Sequence, residues 1–290
     1  MKTRRSVPEK LFGLFNVLFL SLLIIVTLYP MLYIILGSVS EASHLVGHSG
    51  LLLWPKGFSL KAFALVFSNP NILSGYQVTL FIVIAGTAFN ILMTSLGAYV
   101  LSRKSFPLRK VMMMGIVFTM YFSGGLIPRY LLVYQTLGLG NTLPALILPT
   151  AIAAWNLIIM RTYFQGIPDS MEESARIDGA SDFRILFQII LPLSMPVIAV
   201  MVLYYGVSHW NAWFDAMVFI RTRTLYPLQL ILREILIIGS MDSMGGEDML
   251  ELGENLKYAT IVTATLPILF AYPFLQKYFV KGIMIGALKG

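Results

Sequence analysis

Six long apolar runs limit what this chain can become. A helix that crosses a bilayer needs about 20 predominantly apolar residues, and each run meets that length. They lie at roughly 12–36, 77–101, 111–134, 143–165, 188–210 and 258–280. Hydrocarbon offers backbone N–H and C=O groups no water, so a spanning segment of this kind must be helical. The predicted fold class is therefore all-α: a polytopic membrane protein with six transmembrane helices. Composition agrees. Of 290 residues, 57% are hydrophobic and only 12% are charged, with a mean hydropathy of +0.78. That is about half the charge share of a soluble protein, too little to cover a water-exposed surface.

The links between the runs carry the orientation. Lys2, Arg4, Arg5 and Lys10 precede the first run, and Arg103, Lys104, Arg109 and Lys110 fill a short loop. Arg161, Arg176 and Arg184 belong to a later loop, and Lys277, Lys281 and Lys289 lie near the end. These four clusters alternate correctly to share one side. The other side holds Lys56, Lys61, Arg129, Arg221, Arg223, Arg233 and Lys257. The positive-inside rule then predicts that both termini are cytoplasmic, with anionic lipid rather than nucleic acid accounting for the net charge of +7. The first apolar stretch far exceeds the ~7–15 residues of a signal-peptide core, so it is expected to be a retained span.

Helix breakers fall inside the runs: Pro30, Pro149, Pro196, Pro267 and Pro273, with Gly86 and Gly97. Neighbouring helices can satisfy the backbone groups that prolines free. The two glycines are read as sites of close helix approach. Between 211 and 257 the pattern is less regular. Leu225 to Ile238 is oily but contains Arg233 and Glu234, which predicts an interfacial or re-entrant helix rather than a seventh span. Asp242, Glu247, Asp248, Glu251 and Glu254 make the following stretch acidic, as expected of an external loop that is either a linker or a docking surface.

One polar stretch between the fourth and fifth runs is unlike the rest: Glu172-Glu173-Ser174-Ala175-Arg176-Ile177-Asp178-Gly179, followed by Ile189-Ile190-Leu191-Pro192. Pro168 suits the residue just before a helix. Asp169 or Ser170 is the expected N-cap, with Glu172 or Glu173 closing a capping box. Both carboxylates favour the positive end of the helix dipole. Gly179 is the expected stop, because it accepts left-handed dihedrals. Ser181 or Asp182 can start a second helix. The prediction is a helix, a sharp turn and a second helix.

The stretch resembles the EAA loop of binding-protein-dependent ABC import permeases. That family's pattern is Glu-Ala-Ala, three residues, Gly, nine residues, then Ile-x-Leu-Pro. Here it runs Glu173, Ser174, Ala175, Gly179, Ile189, Leu191, Pro192 with its spacing intact and Ser174 as the one departure. Asp178-Gly179-Ala180, the run from Leu191 to Pro196 and the tail from Gln276 to Gly290 resemble the carbohydrate (MalG-like) branch. Tyr226-Pro227-Leu228-Gln229 is most similar to the LplC/YtcP subgroup, associated with complex oligosaccharides. The resemblance implies a single permease domain over 1–290, in the ABC type I importer fold. Its coupling loop would lie at about 166–190 and an external loop at about 211–257. The implied partners are a homologous second permease, a dimer of ATP-binding subunits, an extracellular solute-binding protein and a sugar substrate. ATP and Mg would sit in the partner ATPase, with no cofactor in this chain. The implied place is the bacterial inner membrane. Glu172, Glu173, Ala175, Arg176, Asp178, Gly179, Ile189, Leu191 and Pro192 are the candidate coupling residues. Met171, Ala175 and Ile177 would fill a groove on the ATPase, and Glu172, Glu173, Arg176 and Asp178 would orient the helix there.

The chain has no Gly-x4-Gly-Lys-Ser/Thr phosphate loop and no cysteine, which excludes that route to ATP, thiol catalysis and Cys-ligated metal. His44 and His48 are four apart but have no third ligand nearby, so no metal site is assigned. No Ser/His/Asp set is identifiable, and the expectation is a transport subunit, not an enzyme. Family analogy places the substrate path along spans three to five. Sugars stack on aromatic faces and hydrogen-bond to polar tips. The candidates are Tyr121, Trp155, Asn156, Tyr204, Tyr205, Trp210, Asn211, Trp213 and Asp215. The alternatives are an importer of another solute, or a secondary transporter driven by an ion gradient. The latter calls for ionisable residues at mid-membrane, whereas here Asp215 lies only at a span end and Arg129 is the lone charge near a span interior.

Overall fold

The computed structural model describes residues 7–45, 50–241, 255–270 and 273. The elements are helical: α1 (Val7–Ser38), α2 (Ala42–Leu45), α3 (Lys61–Ser68) and α4 (Pro70–Ser102), then α5 (Arg109–Tyr121), α6 (Leu126–Thr136), α7 (Pro144–Thr150) and α8 (Ala154–Gln165). They continue with α9 (Asp169–Ile177), α10 (Asp182–Leu193), α11 (Met195–Trp210), α12 (Phe214–Phe219) and α13 (Leu228–Met241). The residues 255–270 are also helical. No strand occurs among the described residues. The chain groups into two compact units, residues 1–69 with 232–265, and residues 70–231 with 266–290.

In the first unit, α1 is one unbroken apolar helix whose outer surface is left uncovered from Val7 to Ile35. Its C-terminal end is tied down. Asn255 Nδ2 donates to the Ser40 carbonyl at 2.7 Å, and Tyr33 meets Tyr258 edge to face with centroids 5.8 Å apart. Gly37 permits that approach, since a Cβ there would lie 2.8 Å from the Tyr258 ring. The loop after α1 folds back, and Leu52 N–H donates to Tyr29 Oη at 3.0 Å.

The second unit holds the second to fifth runs, and here the structure corrects the picture of plain spans. α4 is long, apolar and continuous, apart from a wider helical turn at Ile82–Gly86. The third run is bent by 115° between α5 and α6, the fourth by 53° between α7 and α8, and the fifth by 85° between α10 and α11. Each break has a local cause. Gly125 sits at φ +83° between α5 and α6, a region open to glycine. Pro149 lies in the tight turn ending α7, and Pro196 sits in the first turn of α11, where its missing N–H costs nothing. At about 1.5 Å per residue, neither α5 nor α6 alone reaches across a ~30 Å core. Residues 188–193, expected at the start of the fifth span, belong to α10 instead. The sixth run is described only to residue 270 and at 273. The acidic stretch 242–254 and the tail lie outside the described residues, as does His48.

Two apolar cores organise this unit. One gathers α4, α8, α10 and α11 through Ala98, Leu157, Met160, Phe164, Ile185, Ile190 and Met201, and it includes Ala175 of α9. The other gathers Val78, Ile82, Val133, Leu146, Phe219 and Leu230. The oily stretch near 225–238 folds as α13, whose Leu228, Leu230 and Ile231 are buried in this unit. Gly97 and Gly86 fit the close approaches expected of them. A Cβ on Gly97 would meet Leu157 at 3.1 Å, and one on Gly86 would meet His209 Nε2 at 2.7 Å.

Candidate functional site

The polar loop forms the expected helix, turn and helix. α9 starts after Pro168, which holds φ −58° and ψ 131° and serves as the cap residue with no side-chain cap bond. The predicted capping box is thus absent. Asp169 already lies inside the helix and pairs with Lys104 at 2.7 Å, and Glu172 turns inward to other partners. The C-terminus is closed more firmly. Gly179 sits at φ +79°, its N–H donates to the Arg176 carbonyl at 3.0 Å, and Ala180 N–H donates to the Ala175 carbonyl at 2.9 Å. Those two bonds and the left-handed glycine make a Schellman closure. Ser181 then caps α10, its Oγ accepting from Arg184 N–H at 3.4 Å.

The helix has one buried face and one exposed face. Glu172 and Ala175, three apart, are buried within this chain. Met171, Glu173, Ile177 and Asp178 are exposed, Ile177 to 86%. The division expected from sequence, with Glu172 and Ala175 on an outward face, is therefore redrawn. Glu172 accepts from Tyr99 Oη at 3.2 Å, from Arg103 Nη1, and from Arg176 Nη2 at 2.9 Å. Arg176 also donates to Asp182 Oδ1 at 2.5 Å. Nearby, Lys104 holds the Asp169 carboxyl below the usual carboxylate range, chiefly by its hydrogen bond. Ile189 and Leu191 pack against the first core, and Pro192 is exposed.

A cavity of about 960 Å³ opens beside the break between α7 and α8. Of the nine candidate path residues, Trp155, Asn156, Tyr204, Tyr205 and Asp215 line it. The other four do not. Tyr121 is exposed at the end of α5, and Trp210 is buried beside Tyr76. Asn211 Nδ2 donates back to the Val207 carbonyl at 2.9 Å, and Trp213 packs edge-on against Phe214. Asp215 is paired with Arg129 at 2.6 Å, so the two charges read as isolated in the sequence neutralise each other.

Sequence reasoning missed a polar seam along the cavity wall. The break at 150–153 frees backbone groups that α8 cannot satisfy, and side chains from α4 and α11 supply the partners. Asn90 Nδ2 donates to the carbonyls of Thr150 at 2.6 Å and Ala151 at 2.9 Å, and its Oδ1 meets His209 Nε2 at 2.6 Å. Ala153 N–H donates to Tyr205 Oη at 3.1 Å, which also bonds Thr94 Oγ1 at 2.7 Å. Asn90 and Thr94, four apart on one face of an apolar helix, were the available signal.

Comparison with known proteins places this geometry. The family model described as "Binding-protein-dependent transport system inner membrane component" matches residues 94–285, which contain the loop and every cavity-lining residue except Ile82. Protein LplC of Bacillus subtilis (strain 168) is 43% identical over 284 residues, covering 97% of this chain and 96% of that protein. The polygalacturonan/rhamnogalacturonan transport system permease protein YtcP of the same organism is 42% identical, with 97% and 99% covered. A crystal structure of a bacterial ABC transporter involved in the import of the acidic polysaccharide alginate contains a chain that superimposes with a TM-score of 0.86 at 31% identity, covering 96% of this chain and all of that one. The chain belongs to the family of binding-protein-dependent transport system inner membrane components, whose members are transport subunits rather than enzymes.

Proposed function

We propose that this chain is the second permease of an ATP-driven ABC importer for a carbohydrate, most simply an oligosaccharide. The observation that carries the reading is α9 itself, a short rigid helix closed by Gly179 that leaves Met171 and Ile177 uncovered beside Glu173 and Asp178. Uncovered apolar side chains rimmed by charge suit insertion into a groove on a partner. The groove belongs to a separate ATPase, which binds ATP and Mg and hydrolyses ATP. Closure of two such subunits moves α9 and the spans attached to it. A homologous permease completes the path, and a solute-binding protein delivers the sugar from outside. The basic clusters support a cytoplasmic side for the termini and the loop.

The cavity supports a sugar as cargo. The rings of Trp155, Tyr204 and Tyr205 offer faces for stacking, and Asn156 and Asp215 offer polar atoms. The relatives named for polygalacturonan, rhamnogalacturonan and alginate point the same way. The deciding experiment is purification of the tagged chain from its native membrane with mass spectrometry of what accompanies it. Recovery of a second permease and an ATPase with a phosphate-loop motif is expected. Recovery of the chain alone, active in uptake driven by an ion gradient, would refute the reading.

A further inference from the structure

The inner face of α9 is fastened to the end of the second span. Arg103 follows the last residue of α4 and reaches Glu172 of α9, with side-chain exposures of only 13% and 11%. The arginine has several further contacts. Its Nε donates to Ser102 Oγ at 2.9 Å, its Nη2 to the Phe164 carbonyl at 3.4 Å, and its guanidinium lies 4.9 Å from the Tyr99 ring centre. Glu172 is held by Tyr99, Arg103 and Arg176, and Arg176 continues the chain of charges to Asp182 of α10.

We propose that Arg103 and Glu172 are a positioning pair that makes α9 and the C-terminal end of α4 move as one piece, so that force on α9 reaches the second span directly. By covalent connection alone, α9 would pull only on α8 and α10, through Gly166-Ile167-Pro168 on one side and Asp178-Gly179-Ala180-Ser181 on the other. The pair adds a third attachment. Lys104 and Asp169 bridge the same two elements, but with 78% and 58% exposure that bridge is weak. A buried pair whose polar atoms are all engaged resists displacement, because separating it strands both charges. It follows that Glu172 is engaged within this chain and does not contact the ATPase, unlike its exposed neighbour Glu173.

This inference rests on the docking role proposed for α9, and the experiment separates the two. The chain contains no cysteine, so spin labels can be placed on Ser105→Cys, beside Arg103, and Ser170→Cys, in the first turn of α9, both exposed. Distances between them are measured in the purified complex, without nucleotide and with Mg-ATP and vanadate. With the native pair, one narrow distribution should persist in both states. In Glu172→Gln, and independently in Arg103→Gln, it should broaden and shift on nucleotide binding, with the double variant no worse than either alone. The ATPase should still co-purify with each. An unchanged distribution in both single variants, or a native distance that itself moves with nucleotide, would overturn the proposal. So would loss of the ATPase from Glu172→Gln alone, which would make Glu172 a docking contact. If the ATPase fails to accompany even the native chain, the docking role falls first and takes this inference with it.

Discussion

Asn90→Leu is the sharpest probe of how the broken fourth span is held together. The substitution keeps bulk and burial but removes two donors and one acceptor. The Thr150 and Ala151 carbonyls lose their 2.6 and 2.9 Å bonds, and His209 Nε2 loses its 2.6 Å partner. Side-chain hydrogen bonds inside membrane proteins are worth about 0.6 kcal/mol each on average and up to about 1.7 kcal/mol. Three of them give about 2 kcal/mol, with an upper bound near 5 kcal/mol. A domain of this size loses about 2–4 °C of melting midpoint per kcal/mol, so a fall of roughly 4–8 °C is expected. The assay is the fraction of detergent-solubilised complex that remains monodisperse after heating, compared with the native chain. A midpoint within about 1 °C of native would refute the reasoning, because the seam would then contribute less than a single average bond. It would mean that water in the adjoining cavity satisfies the carbonyls, since Thr150 lines that cavity.

Gly179→Val forces a β-branched side chain into φ +79°, a region that costs an L-residue about 1–2 kcal/mol and a branched one more. It should abolish uptake at unchanged membrane abundance, Gly179→Asp should be milder, and Gly179→Asn should retain most activity. Equal uptake in all three would remove the turn from the coupling path. On the cavity wall, Trp155→Ala and Tyr204→Ala should raise the uptake Km for the transported sugar severalfold, whereas Trp213→Ala, at a residue packed on Phe214 that does not line the cavity, should not. The opposite ranking would move the sugar path elsewhere.

Much of the loop was legible because its rules are local. Pro168 before a helix, Gly179 after one and Ser181 before the next act within a few residues, and their spacing is written along the chain. The capping box was misread for a related reason. Asp169 and Glu172 have the right identities and spacing, but Lys104 and Arg103 outcompete the backbone N–H groups for their carboxylates. No helix-start rule contains that competition, since the lysine and arginine come from another element.

Sequence by itself determined the membrane class, the apolar segments, the helix–glycine–helix loop and the family resemblance. Each depends on composition or on spacing within a short window. Tertiary structure decided which way α9 faces, where the runs break, and which aromatic side chains share a cavity. Those outcomes depend on partners far apart in the chain: Arg103 and Glu172 are 69 residues apart, and Asn90 and His209 are 119 apart. Inside a bilayer a buried polar group must find a partner wherever the fold brings one, and that pairing has no spacing of its own to read.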